Sequence, residues 1–310
     1  MIPIIVQARM KSKRLPGKVM LPIYQDRPML EMQLERLKMV NGVDGIIVAT
    51  TTDKEDDPIV KLAEKNDCLV FRGSPSNVLE RYYEAAKEVH ANAIIRITGD
   101  CPLIDAGTVA RVASDYIAQK VSVNYVSNCW ARLYPRGMDV ESFSWQALEE
   151  CYRLSRRNMH GDSGLEQWGG ITLTDYDREH VTTFMRRYPM RFRLIDVQPR
   201  TAVNQDGTPV SEKSAYRLTV DYQRDFDMVK RIFADMYPSS AYATGMWEPT
   251  TKEVDEMKPS SETGEMILTG KKLQVLDQPG DHQLTLTDIN HYLDQNPDVA
   301  KMNFDIVQRG

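Results

Sequence analysis

Residues 2–21 read IPIIVQARMKSKRLPGKVML. Residues 2–6 are a short apolar run with β-branched members, the pattern of a strand buried on both faces. Arg9, Lys11, Lys13, Arg14 and Lys18 follow, interleaved with Ser12, Pro16 and Gly17. Five cations directly behind a buried strand need an anion or solvent to compensate them. In an open α/β sheet, the loop leaving the carboxyl end of the first strand is where ligands bind. Gly17 lets the backbone approach closely, and Ser12 with free N–H groups can donate to phosphate oxygens. The segment reads as a polyphosphate cradle or as a solvated basic loop. It is not a Walker A loop, because no Gly-Lys-Ser/Thr triplet stands at the required spacing.

Outward from this loop, apolar runs at 45–50, 68–71 and 93–98 alternate with helical patterns at 29–40, 57–65, 77–89 and 105–119. That rhythm predicts an α/β fold: a doubly wound, mostly parallel Rossmann-like sheet with right-handed crossovers. Past residue 122 the pattern changes. Short strands are expected at 124–126, 140–143 and 192–197, with helices at 145–157 and 178–187. The Gly-rich segment 158–174 reads as an insertion or mobile loop, and Asp206-Gly207 marks a turn within the polar segment 199–213. Residues 216–220 are expected to return to the main sheet, followed by a helix over 225–237. Residues 238–283 lack periodicity and read as a linker or extended excursion. Thr287 can cap a last helix that stops before Pro297. The expected division is a nucleotide-binding half at 1–122 and a smaller α+β acceptor and dimerisation region at 123–213. Residues 214–238 then return to the sheet, and 239–310 form an extension with a C-terminal helix.

The chain has 310 residues and a formal charge of −5. No global field attracts nucleic acid, so the basic loop is a local feature of an acidic protein. Cys68, Cys101, Cys129 and Cys151 show neither a Cys-x-x-Cys pair nor metal-ligand spacing, which suits reduced thiols. No apolar run approaches the length of a membrane span and no charged leader precedes the first strand. A soluble, cytoplasmic protein without a membrane partner is expected.

Two carboxylates stand out. Asp100, in Thr98-Gly99-Asp100-Cys101-Pro102, ends the fourth apolar run beside the basic loop, and Asp221 ends the run Leu218-Thr219-Val220. Magnesium prefers one or two carboxylates plus substrate oxygens and water. Asp100 could equally cap the next turn. Together with the cations, however, two such carboxylates describe a site.

Residues 8–18, Ala8-Arg9-Met10-Lys11-Ser12-Lys13-Arg14-Leu15-Pro16-Gly17-Lys18, fit A-R-x-x-S-x-R-L-P-x-K. This pattern resembles the signature of the sugar-acid cytidylyltransferases, above all their spore-coat polysaccharide branch. The resemblance continues in ordered segments through most of residues 1–240 and returns at 285–303. It implies a Mg²⁺-dependent enzyme moving CMP from CTP to a sugar acid or another small hydroxyl or acid acceptor, with release of pyrophosphate, in cell-surface polysaccharide biosynthesis. Arg9, Lys18, Asp100 and Asp221 would be catalytic, the two aspartates as metal ligands. Ala8, Ser12, Arg14, Thr50, Gly73, Ser74, Arg81, Thr98 and Gly99 would complete the nucleotide site. A guanidinium at Arg81 can donate to O2 and N3 of cytosine, where uracil presents a donor at N3. Asn128, Tyr134, Arg136, Asp139, Glu141, Glu179 and His180 would face the acceptor. Arg136 suits an anion, and His180 either positions or deprotonates the nucleophile or is structural. A homodimer, with residues 124–200 at its interface, is also implied. A nucleotide-sugar glycosyltransferase is the alternative, but no Asp-x-Asp pair lies near Asp100. A non-catalytic nucleotide-binding subunit is the other, opposed by the intact loop and carboxylates. Segments 158–174 and 199–213 exceed the length expected for the branch, which points to an unusual acceptor.

Overall fold

Strand β1 (Ile4–Gln7) owes its place to Ile4, Ile5 and Val6, none of which retains exposed surface. It lies between β4 (Ile46–Thr51) and β6 (Ala93–Thr98), parallel to both, and β5 (Leu69–Gly73) extends the sheet beyond β4. A small hairpin, β2 (Pro22–Tyr24) with β3 (Arg27–Pro28), leads into helix α1 (Met29–Lys38). The remaining crossovers run through α2 (Asp57–Lys65), α3 (Val78–Glu88) and α4 (Ala106–Gln119). Asn77 and Asp105 accept from the backbone N–H three residues on, which fixes where α3 and α4 begin. The computed structural model describes residues 1–159, 173–203, 209–212, 214–237, 251–259, 266–276 and 284–304.

On the other side of β6 the sheet changes direction. β8 (Glu141–Ser144) runs antiparallel to β6, β7 (Tyr125–Ser127) antiparallel to β8, and β9 (Leu194–Asp196) parallel to β7. The order of the seven-stranded sheet is β5-β4-β1-β6-β8-β7-β9. The mostly parallel α/β sheet read from the sequence is therefore present. Helix α5 (Trp145–Met159) packs on the face that buries Tyr125, Phe143, Leu148 and Phe184.

Several expectations need correction. The helix expected over 178–187 is two, α6 (Asp175–His180) and α7 (Thr183–Arg187). They part at buried Val181, whose φ of 48° is a strained value for a β-branched residue. Residues 216–220 do not rejoin the sheet; Arg217 makes only an isolated bridge with Arg136. The polar segment 199–213 forms a hairpin, β10 (Thr201–Val203) with β11 (Pro209–Ser211), while Asp206-Gly207 and residues 160–172 lie outside the described residues. After α8 (Gln223–Met236), the stretch read as a linker contains the antiparallel pair β12 (Thr251–Pro259) and β13 (Met266–Leu276). Thr285, not Thr287, caps α9 (Leu286–Gln295), because that start puts Leu286, Ile289 and Leu293 on one buried face. The short α10 (Pro297–Ala300) follows.

The chain divides into two compact units, Met1–Ala234 with Thr285–Gly310, and Asp235–Leu284. Among the described residues no helix is long and apolar enough to cross a membrane.

Candidate active site

A cleft of about 330 Å³ opens at the carboxyl ends of β1 and β6. Its rim is the basic loop, and the loop is held from below by Asp56. One oxygen of Asp56 accepts from the backbone N–H of Met10 (2.7 Å), the other from Thr50 Oγ1 (3.0 Å) and the N–H of Thr51 (3.1 Å). Gly17, in the left-handed region, closes the loop by donating its N–H to Met10 O (2.9 Å). At Gly99 a Cβ would stand 2.7 Å from Gln7 O, so only glycine lets the ends of β1 and β6 meet this closely.

The floor of the cleft is a knot of charge. Lys18 Nζ donates to Val220 O (2.6 Å) and lies 3.3 Å from Asp100 Oδ2 and 3.2 Å from Asp221 Oδ1. Burial would lower the Lys18 pKa, but the two carboxylates outweigh it and hold the ammonium above its usual range. For Asp100 the same balance runs the other way: burial would raise its pKa, and Lys18 with a Thr98 hydrogen bond keeps it low. Arg14 adds a second cation on Asp221 Oδ1 at 2.5 Å, and Arg217 occupies Oδ2 at 2.7 Å. Asp221 arrives here without a strand. Residues 216–220 dock by backbone bonds, Leu218 N to Arg136 O (2.6 Å) and Val220 N to Asp100 O (2.8 Å). Gly137 permits that docking, since a Cβ there would stand 2.6 Å from the Leu218 backbone. Asp225 and Asn303 then brace Arg217 from behind, at 3.0 Å each.

One wall carries Arg96, on β6. Its guanidinium pairs with Glu141, bonds Gln7 Oε1 (3.2 Å) and lies over the Tyr82 ring. Glu141 is 4% exposed and accepts from Tyr125 (2.5 Å) and Thr182 (2.6 Å) as well. Burial would raise its pKa; Arg96, then Arg186 and the two hydroxyls, hold it below the usual carboxylate range. Opposite, Glu179 and His180 end α6. Burial, helped by Arg96 and Arg186, depresses the His180 pKa, leaving a neutral imidazole near pH 7.

The family profile described as cytidylyltransferase matches residues 3–257. The chain belongs to the cytidylyltransferase family. It is 29% identical over 233 residues to the spore coat polysaccharide biosynthesis protein SpsF of Bacillus subtilis, covering 74% of this chain and 85% of that one. It is 35% identical over 115 residues to a 3-deoxy-manno-octulosonate cytidylyltransferase of Acinetobacter baumannii, covering 36% of this chain and 44% of that one. Among solved structures, a cytidylyltransferase from Leptospira borgpetersenii matches with a TM-score of 0.70 and 26% identity, covering 99% of both chains. The chain is thus a nucleotidyltransferase with the fold of its family.

In this cytidylyltransferase the residues singled out from sequence separate into two groups. Ala8, Arg9, Ser12, Arg14, Lys18, Thr98, Gly99, Asp100, Glu179, His180 and Asp221 line one cleft. The others do not line it. Thr50 is fully buried on Asp56, and Ser74 Oγ accepts from Asn77 N at the start of α3. Gly73 packs on Arg81, which is 2% exposed with Nε and Nη1 lacking any partner among the described residues. Asn128 is consumed by the backbone of Met138 and Val140 (2.6 and 2.9 Å), and Tyr134 by Gln198 O and Glu212 (3.2 and 3.0 Å). Asp139 pairs with Arg132 at 2.8 Å, and Arg136 bridges through its backbone to Arg217. Glu141, expected to face an acceptor, has its oxygens taken by Arg96, Tyr125 and Thr182 and supports Arg96 instead. Sequence inspection passed over Arg96 and Gln7 in the cleft, and Asp56, Arg217 and Asp225 beneath it, and named Lys13 only among the cations of the loop. An arginine inside the apolar run AIIRIT was the available signal for Arg96.

Proposed function

We propose that this cytidylyltransferase transfers CMP from CTP to a sugar acid, with Mg²⁺, and releases pyrophosphate. The observation that carries the proposal is the convergence of the basic loop and two carboxylates, Asp100 and Asp221, on one buried ammonium at the floor of a cleft. Among the described residues no group of three or more His, Cys, Asp or Glu side chains could hold a metal alone. Asp100 and Asp221, bridged here by the Lys18 ammonium, would be the two carboxylate ligands of a hard cation that takes its other ligands from phosphate and water. When bound there, Mg²⁺ would neutralise phosphate charge and lower the acceptor's pKa.

The chain's own residues supply the rest. Arg9, Arg14, Lys18 and Ser12 bind the triphosphate and hold the α-phosphorus in line with the attacking oxygen. The acceptor oxygen bonds to that phosphorus, the α–β phosphoanhydride breaks, and pyrophosphate takes the electron pair. Neutral His180 accepts the acceptor's proton. Cations already in place stabilise charge developing on the phosphate oxygens without reorganisation. Arg81 would read the base through Nε and Nη1, which have no partner among the described residues and, being buried outside the cleft, need the Gly73 segment to shift to present them. Residues 1–122 would carry the nucleotide and 123–213 the acceptor, in a homodimer that light scattering would detect.

The test is thermal unfolding with CTP, UTP, ATP and GTP, with and without Mg²⁺, followed by pyrophosphate release against a panel of sugar acids. A ligand at a hundred times its dissociation constant stabilises by about 2.7 kcal/mol. A shift selective for CTP with Mg²⁺ is expected, and Arg81→Ala should erase the preference over UTP. Equal shifts for all four nucleotides would reject the base-reading role of Arg81, and no shift with any would overturn the proposal.

A further inference from the structure

Beside the cleft lies a second, larger pocket of about 510 Å³. Its walls come from the segment after β7 (Trp130 and Arg132) and from α6 and α7 (Tyr176, Thr183, Arg186 and Arg187). Trp130 and Tyr176 are 48% and 52% exposed, large apolar surfaces left facing the same concavity. Two of the three guanidiniums are already committed, Arg132 to Asp139 (2.8 Å) and Arg187 to Asp177. Arg186 acts on Glu141 through its charge, but its Nε is buried and has no hydrogen-bond partner among the described residues. A buried donor left unpaired is costly, and a guanidinium matches a carboxylate in two parallel bonds. Tyr176 also links this pocket to the cleft, its ring 4.2 Å from that of His180, which lines the cleft.

We infer that this pocket holds the body of an acidic sugar acceptor. The sugar rests against Trp130 and Tyr176 with its carboxylate on Arg186, and its nucleophilic oxygen reaches past Tyr176 to His180. The inference rests on the proposed transfer to a sugar acid. It adds that selectivity for the acceptor is set on α7 and the Trp130 segment rather than on the phosphate loop. An aromatic face beside a guanidinium whose Nε is unbonded favours a ring bearing a single carboxylate over a bare anion or an uncharged sugar.

Isothermal titration of the full chain, alone and with a non-hydrolysable CTP analogue, tests it. The probes are 3-deoxy-manno-octulosonate and glucuronate, with mannose as the uncharged control and inorganic phosphate as the bare anion. At least one acidic sugar should bind, and Arg186→Met and Trp130→Ala should each weaken it about tenfold. Both variants should keep the wild-type thermal shift with CTP, which certifies their fold. Unchanged acidic-sugar affinity in both variants, phosphate binding as tightly as the sugar, or no acidic sugar binding to the wild type would each overturn the inference. Failure of CTP to stabilise any of the proteins would count against the nucleotide proposal alone, because titration without nucleotide still decides the pocket.

Discussion

Replacing Glu141 by Gln is the most informative single change to this fold. The two side chains have the same shape, so the amide oxygen can still accept from Tyr125 and Thr182. What disappears is the counter-charge to Arg96, whose side chain is 12% exposed and whose Nε already lacks a partner among the described residues. Breaking one half of a buried ion pair costs about 3–5 kcal/mol. At about 2–4 °C per kcal/mol for a domain of this size, the melting temperature should fall by roughly 6–20 °C. Arg96→Met should cost a similar amount, since it strands the Glu141 carboxylate. The double variant, with neither charge, should be destabilised by about 1–3 kcal/mol less than the sum of the two singles. Urea unfolding at pH 7.5 measures all four corners of the cycle. The folded pKa of Glu141 is held below its unfolded value, so the pair's contribution is complete above the ordinary carboxylate range, about 4.3, and is lost as pH falls through the folded value. The gap between wild type and Glu141→Gln should therefore narrow on acidification below that range. Strict additivity in the cycle, or a single-variant cost under about 1 kcal/mol, would refute the description of Arg96 and Glu141 as a coupled buried pair.

Further outcomes follow from the cleft. Asp100→Asn should lower turnover by about a hundredfold or more in a pyrophosphate-release assay. Asp221→Asn should do the same and also lower the melting temperature, because Asp221 additionally holds Arg14 and Arg217; unimpaired turnover in both would remove the metal assignment. Gly99→Ala forces a Cβ to 2.7 Å from Gln7 O, backbone against backbone, and should cost about 1–3 kcal/mol by thermal unfolding; a neutral effect would mean the strand ends can part. The acid limb of the rate profile should have its midpoint below the ordinary histidine value of about 6.5, since a buried His180 beside Arg96 and Arg186 resists protonation. Arg186→Met should move that limb upward, and a midpoint at or above the ordinary value in the wild type would exclude His180 as the base.

Much of the parallel half was legible because its signals are local. Short, β-branched apolar runs such as IIV and AIIRIT suit buried strands, and the cations behind the first of them stand at the carboxyl end of the sheet. Elements that depend on distant partners were not legible in the same way. Residues 216–220 have the composition of a strand, yet they dock edge-on against Arg136 and Asp100 because Gly137 leaves room for their backbone. The break between α6 and α7 is also imposed from outside: Val181 takes a positive φ while the Thr182 hydroxyl reaches Glu141, and nothing in REHVTTFM announces it. Among site residues, family-like segments identified chain positions but not side-chain directions. Asn128, Tyr134 and Glu141 therefore turned out to be bonded inward, while Arg96, within a run taken for core, faces the cleft.

The bracing of Arg217 by Asn303 has a temporal consequence. Arg217 is the counter-ion that keeps Asp221 and Asp225 in place, and its carbonyl is held by a side chain 86 positions further along the chain. A ribosome making this chain releases the phosphate loop long before the brace. At about 5–20 residues per second, the roughly 285 positions from Lys18 to Asn303 take on the order of 15–60 seconds to make. Until then Arg217 can meet Asp221 and Asp225 but lacks the Asn303 side chain on its carbonyl. Securing the Asp221 side of the cleft therefore waits on synthesis past Asn303, and a chain cut short before that residue should melt earlier than one that contains it.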